Sequence, residues 1–273
     1  MQEQQKTFTT QDGTALFYRY RPAADGSSDK AVLLFHRGHE HSGRMAHLVE
    51  ELQLPEFDFF AWDARGHGGH APRVGAVPTA ARMARDLRNL IQHYGLGEVA
   101  IIGHSMGGMV VQKYLERHTA PAVVLMSSVP PQGLLGSAFG LAFSKPHLLG
   151  DLNRIMGGGQ PQLETLRHAL FHETIELERL QRYYHLCQPE SHRAIWDMSL
   201  FDLPSLSRTP RPPMLVLGAE HDVLIPPDQV RMTARSYGVS ANILPDLGHG
   251  MMMETDWRIA ADPILYWLKS QGL

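Results

Sequence analysis

The sequence predicts an α/β fold with a mostly parallel central sheet and helices on both faces, and three observations predict it. Short apolar runs recur (AVLLF at 31–35, VAIIG at 99–103, the start of AVVLMSS at 122–128, MLVLG at 214–218), the pattern of strands buried on both faces. Stretches of helical periodicity separate them, and alternation of this kind implies parallel strands with right-handed crossovers. The chain also has the material for a large core, with 43% apolar residues over 273 positions.

Taken in order, TFTTQDGTALFYRY (7–20) places two β-prone stretches around Asp12-Gly13, so a hairpin opens the fold. AVLLF ends in the polar loop HRGHEHSG, and FDFFAWD (57–63) repeats the pattern before ARGHGG. Between these runs, Met45, Leu48, Val49 and Leu52 recur on one helical face, completing a βαβ unit. A second helix fits Thr79 to Tyr94 with Met83, Leu87, Leu90 and Ile91 inward. Strand 99–103, helix 107–118, strand 122–128 and strand 214–218 follow. A helix near 228–237, a short strand ANILP and a last helix from Trp257 to Lys269 close the chain.

The interval 131–205 breaks the alternation. It has helical periods and apolar residues from Leu134, Leu135 and Phe139 through Ile155 and Met156, but no buried-strand run. It reads as a helical insertion between core segments 1–130 and 206–273, either a small bundle with its own core or a lid over a pocket.

Composition removes several function classes. A net charge of −3 without a dense Lys/Arg run argues against nucleic acid as partner. A single cysteine, Cys187, rules out an internal disulfide framework and favours a reducing compartment. The start MQEQQKTFTT has neither a basic cap nor an apolar stretch, and no apolar run reaches the ~18 residues of a membrane span. The expectation is a cytoplasmic protein without an integral membrane segment.

The strongest chemical signal is Gly103-His104-Ser105-Met106-Gly107, lying between a strand run and a helical run as G-x-S-x-G requires. Glycines two residues either side of the serine remove Cβ atoms that would collide where strand folds back on helix. The helix that follows aims its N-terminal N–H groups at the reaction centre. A serine hydroxyl is a weak nucleophile at neutral pH and needs a base, itself oriented by an acid. On such an elbow the acid and the histidine follow the serine in chain order. Asp222, four residues beyond Gly218, is the acid candidate, with Glu220 and Asp246 as rivals; His249, in the loop Asp246-Leu247-Gly248-His249-Gly250, is the base candidate. His104 is expected to pack and not to act as base. The oxyanion needs two donors, one from Met106 N–H and one from the loop His36-Arg37-Gly38-His39.

At these residues the chain resembles the α/β-hydrolase superfamily, and within it the monoacylglycerol lipase and lysophospholipase-like serine esterases. FHRGHEHSGR is similar to their His-Gly-x-x-Glu-His-Ser-Gly-Arg segment, WDARGHGG to the segment after the next strand, GHSMGG to their elbow, and GAEHD and LGHG to their acid and histidine loops. The likeness covers about 1–130 and 210–273. It implies an α/β-hydrolase fold with a helical cap, a Ser105, Asp222, His249 triad, and oxyanion donors on Met106 and Gly38. Arg37 stands where the family usually has glycine, which makes Arg37 N–H the alternative second donor.

The reading that follows is a serine hydrolase that cleaves carboxylic esters through an acyl-enzyme, with no cofactor. An insertion rich in Leu, Phe and Met with no cationic cluster favours small-molecule esters of neutral, lipophilic acyl groups, and allows transient lipid or micelle contact through the cap. Lactone, thioester and C–C bond hydrolysis use the same triad. Two further readings compete: a Zn²⁺ hydrolase on His36, His39, Glu40 and His41, whose spacing is not HExxH, and a non-catalytic ligand-binding module.

Overall fold

The computed structural model describes residues 3–24, 26, 30–36, 41–52, 54–65, 67–68, 79–135, 150, 162–187, 191–209 and 211–273. Strands β1 (Gln4–Thr9) and β2 (Ala15–Arg21) form the expected antiparallel hairpin, in register from Gln4 opposite Tyr20 to Thr9 opposite Ala15. They are followed by β3 (Lys30–Phe35), α1 (Ala46–Leu52), β4 (Asp58–Trp62), α2 (Ala80–His93), β5 (Glu98–His104), α3 (Met106–Leu115) and β6 (Ala122–Met126). The inserted segment carries α4 (Leu163–Leu170), α5 (Leu177–His185) and α6 (His192–Trp196), which runs into a wider π turn at Asp197–Phe201. Strand β7 (Met214–Ala219), α7 (Pro227–Tyr237), β8 (Ala241–Leu244) and α8 (Arg258–Ser270) complete the chain.

The strands make one eight-stranded sheet in the order β1-β2-β4-β3-β5-β6-β7-β8. β2 pairs antiparallel with β4, and every pairing from β4 through to β8 is parallel. From β3 the chain goes first to β4 on one side and then back to β5 on the other. The carboxyl ends of β3 and β5 therefore flank the point where strand order reverses, the place where open parallel sheets leave a crevice for ligands.

Alternate residues of each central strand enter opposite layers. Leu33, Phe35, Ile101, Val123 and Leu125 pack with α2, α3 and α7, while Val32, Leu34, Ile102, Val124 and Met126 pack with α1 and α8. The four residues assigned to the inner face of the first helical stretch, Met45, Leu48, Val49 and Leu52, are all buried. Thr79 caps α2, its Oγ1 accepting from Arg82 N–H at 3.1 Å, a contact worth about 1 kcal/mol.

A separate core for the insertion is not what the described residues show. Leu166, Leu170, Phe171, Ile175 and Leu180 join the α1/α8 layer, and Ala194 and Met198 join the α2/α3/α7 layer. Of the insertion's apolar residues, Phe139 through Met156 lie outside the described residues. Among the described residues, no helix is long and apolar enough to cross a membrane.

Candidate active site

Ser105 links β5 to α3 in a conformation that side chains rarely adopt, with φ 54° and ψ −115°. The surrounding backbone holds it there. Ser105 N–H donates to Met126 O at 2.9 Å, and Ser105 O accepts from Gly108 N at 3.0 Å and Val129 N at 3.1 Å. The flanking glycines are sterically required. A Cβ on Gly103 would lie 2.6 Å from Gly107 O, and one on Gly107 would lie 2.4 Å from Phe35 O and 2.7 Å from His36 O. The start of α3 thus presses directly on the end of β3. Arg37 and Gly38, the alternative second oxyanion donors, lie outside the described residues. Met106, the expected first donor, opens α3, where N–H groups lack partners within the helix.

The helix behind the serine is fixed by a buried amide that the sequence reading missed. Gln112 Nε2 donates to Ser128 Oγ at 2.9 Å and Val129 O at 2.8 Å, and its Oε1 accepts from Tyr237 O–H at 3.1 Å, tying α3 to the end of β6 and to α7. Next to it, Lys113 Nζ pairs with Glu116 at 2.9 Å and Asp202 at 2.8 Å, attaching the end of the insertion to the same helix.

Beyond β7, Asp222 is buried, and its Oδ1 accepts from Leu224 N at 2.9 Å and Ile225 N at 2.8 Å. Its Oδ2 takes the Nδ1–H of His249 at 2.8 Å. Glu220 and Asp246, the rival acids, are exposed. With Nδ1 donating to the carboxylate, the neutral ring of His249 carries its lone pair on Nε2, the tautomer a general base needs. His104 is buried and donates from Nε2 to His249 O at 2.9 Å, with the two rings 4.9 Å apart between centroids. The residue next to Ser105 in the chain thereby positions the histidine loop. Among the described residues Ser105 Oγ has no hydrogen bond, to His249 Nε2 included.

Glu254 is a second residue that the sequence reading missed. Its buried carboxylate accepts from Gly248 N, from His172 N at 3.2 Å and from Glu173 N at 3.0 Å. Gly250 N–H donates to Leu170 O at 2.7 Å, Thr255 N–H donates to Glu173 at 3.1 Å, and Arg179 donates to Met253 O. A Cβ on Gly248 would stand 2.8 Å from both His172 N and Leu170 O. The glycine beside His249 therefore admits the α4–α5 loop of the insertion, which is laced onto the histidine loop.

Other motif residues serve the scaffold. Arg65, in the ARGHGG segment, makes a two-pronged contact with Asp86 at 2.6 Å and reaches Asp12 at 2.9 Å, joining the first hairpin to α2. His36 Nε2 accepts from Ala64 N at 2.9 Å; His39 and Glu40 lie outside the described residues.

Comparison with known proteins gives a consistent picture. A family model described as serine aminopeptidase, S33 (Hydrolase_4) matches residues 26–256. Over 249 residues the chain is 23% identical to a monoacylglycerol lipase of Mycolicibacterium smegmatis, covering 88% of each protein. It is 46% identical over 122 residues to the uncharacterized protein YnbC of Escherichia coli, a match taking in 42% of this chain and only 21% of YnbC. An esterase from Exiguobacterium antarcticum superposes with a TM-score of 0.77 at 18% identity, over 97% of this chain and all of that one, a likeness of fold.

Proposed function

Because the chain belongs to the serine aminopeptidase S33 (Hydrolase_4) family of α/β hydrolases, we propose that it is a serine hydrolase that cleaves carboxylic esters of lipophilic acyl groups. The observation that carries this reading is the 2.8 Å contact between His249 Nδ1 and Asp222 Oδ2, at the same sheet edge as the constrained Ser105 elbow.

In this reading His249 Nε2 takes the Ser105 proton as Oγ attacks the ester carbonyl. Asp222 holds the tautomer and stabilises the imidazolium that forms. Met106 N–H, together with Gly38 or Arg37 N–H, holds the tetrahedral oxyanion, where one donor is worth about 10²–10³ in rate. The alcohol leaves with the proton from His249, and water attacks the acyl-enzyme with the same base assisting.

Residues 131–205 form the cap over a core of 1–130 and 206–273. Leu177, Leu186, Trp196, Leu200 and Phe201 are exposed on it, which supports transient contact with lipid or micelles alongside a lipophilic substrate. The test is a panel of p-nitrophenyl esters of graded chain length with wild type and Ser105→Ala, alongside fluorophosphonate labelling. Rapid turnover and labelling of the wild type alone are expected; equal rates for both proteins would overturn the assignment. Intact-mass detection of the adduct formed with ester, lactone and thioester probes separates the substrate classes that share the triad.

A further inference from the structure

Outside the triad, the described residues bring one set of metal-binding side chains together. His172 from the α4–α5 loop, His221 from the loop after β7 and Asp246 from the histidine loop each offer a ligand atom, and these atoms all lie within 4.8 Å of one another. We propose that His172, His221 and Asp246 form a surface site for a divalent first-row metal ion such as Zn²⁺, which clasps the cap to the two loops that carry Asp222 and His249.

The donor set is chemically apt. Two imidazole nitrogens and one carboxylate oxygen suit Zn²⁺ and its neighbours in the series, with water completing a four-coordinate shell. Tetrahedral N and O ligands at 2.0–2.1 Å from Zn²⁺ stand about 3.3 Å apart, so the three atoms close by side-chain rotation alone. All three side chains are exposed and have room for it. The rings of His172 and His221 lie stacked at 3.7 Å between centroids, and because a ring nitrogen binds a metal in its own ring plane, each must rotate out of the stack by roughly half the tetrahedral angle to share one ion. Glu220 puts another carboxylate beside the set, its Oε2 3.8 Å from His221 Nε2, adding negative charge that favours a cation.

The backbone beneath is already fixed. His172 N–H donates to Glu254, His221 N–H to Leu247 O at 3.0 Å, and Asp246 N–H to Glu220 at 3.4 Å. The ion thus meets three anchored positions, and binding does not have to order a loop. The chemistry proposed for Ser105 does not use this site. It adds a crosslink between segments some 50 and 25 residues apart in sequence, stabilising the folded chain by mass action.

The experiment uses tag-free protein stripped with chelator. Zn²⁺ affinity is measured by competition with a chromophoric chelator for wild type, His172→Gln, His221→Gln and Asp246→Asn, the last keeping a residue that tolerates the positive φ of 55° at that position. Wild type is expected to bind one Zn²⁺ per chain saturably, and each variant to bind at least about tenfold more weakly. Thermal melts should show wild type gaining about 5 °C at Zn²⁺ about a hundredfold above its dissociation constant, with the gain lost in the variants. Metal-free melting temperatures matching wild type show that the variants are folded. Absence of saturable binding at sub-millimolar Zn²⁺, or wild-type affinity in any two of the three variants, overturns the proposal.

Discussion

His249 and Asp222 meet through Nδ1 and Oδ2 at 2.8 Å, with both side chains almost fully withdrawn from solvent. A buried pair of this kind fixes the ring and its tautomer at once, since the second carboxylate oxygen is pinned by Leu224 and Ile225 N–H. Asp222→Asn preserves the shape but can present an amide N–H where the carboxylate accepted, favouring the wrong tautomer of His249. Ester kcat should fall by about 10⁴ with KM little changed. Steady-state kinetics on a p-nitrophenyl ester checks this, and a loss under tenfold would remove Asp222 from the proposed role.

The elbow leaves no room for a methyl group. At Gly107 the nearest atoms to an added Cβ are the carbonyl oxygens of Phe35 and His36, and at Gly103 they belong to the backbone of Gly107 and Gly108. Backbone cannot rotate aside as a side chain can. Gly107→Ala is therefore expected to cost about 1–3 kcal/mol or more, seen as a lower urea midpoint at unchanged slope. An unchanged midpoint would mean that β3 and α3 are packed less tightly than their contacts require.

The sheet was legible because its central strands are buried on both faces, so their apolar runs needed no tertiary information to be seen. The elbow was legible for a related reason: a strained turn demands small residues at fixed spacing around Ser105. Gln112 and Glu254 were not legible, because their value lies in partners far along the chain; Glu254 accepts from His172 N–H across 82 residues. A lone Gln inside MGGMVVQKYL and a lone Glu behind three methionines were the available cues. The insertion's helical and apolar character was legible, but the positions of its helices were not. Gln162 and Glu176, which precede α4 and α5, make no side-chain caps, so local sequence marks those helix starts weakly and packing against the α1/α8 layer decides them.

Acid should weaken the tie between the first hairpin and α2. The hydrogen bond from Arg65 is the main cause holding the Asp12 carboxyl well below its ordinary range, whereas burial pushes Asp86 up despite the same guanidinium. A depressed folded value means that the Asp12 contribution is fully present above the unfolded carboxylate value of about 3.9 and is lost as pH falls through the folded one. Asp86 has the opposite sign, so comparing wild type with Asp12→Asn isolates the first effect. Because Asp12 is partly exposed, the wild-type advantage at neutral pH should be under about 1 kcal/mol. Urea titrations should show that gap shrinking as pH drops below about 4. A gap that stayed constant or widened would count against the pairing.

Glu254 couples stability to the proposed chemistry because its carboxylate serves Gly248 on the histidine loop and His172 and Glu173 on the α4–α5 loop. Glu254→Ala leaves three backbone donors without that acceptor, and one buried unsatisfied donor costs about 1–3 kcal/mol. A total loss of about 3 kcal/mol or more is expected, visible as a lower urea midpoint. Glu254→Gln keeps one carbonyl oxygen and should recover part of the loss. A purely structural role would lower the active fraction and leave the turnover of folded enzyme unchanged. A positioning role predicts lower kcat per active site, titrated with fluorophosphonate, while KM holds, because the loop carrying His249 is released. Partial recovery of kcat in Glu254→Gln would tie the effect to the acceptor geometry, and an unchanged kcat in Glu254→Ala would confine Glu254 to holding the α4–α5 loop.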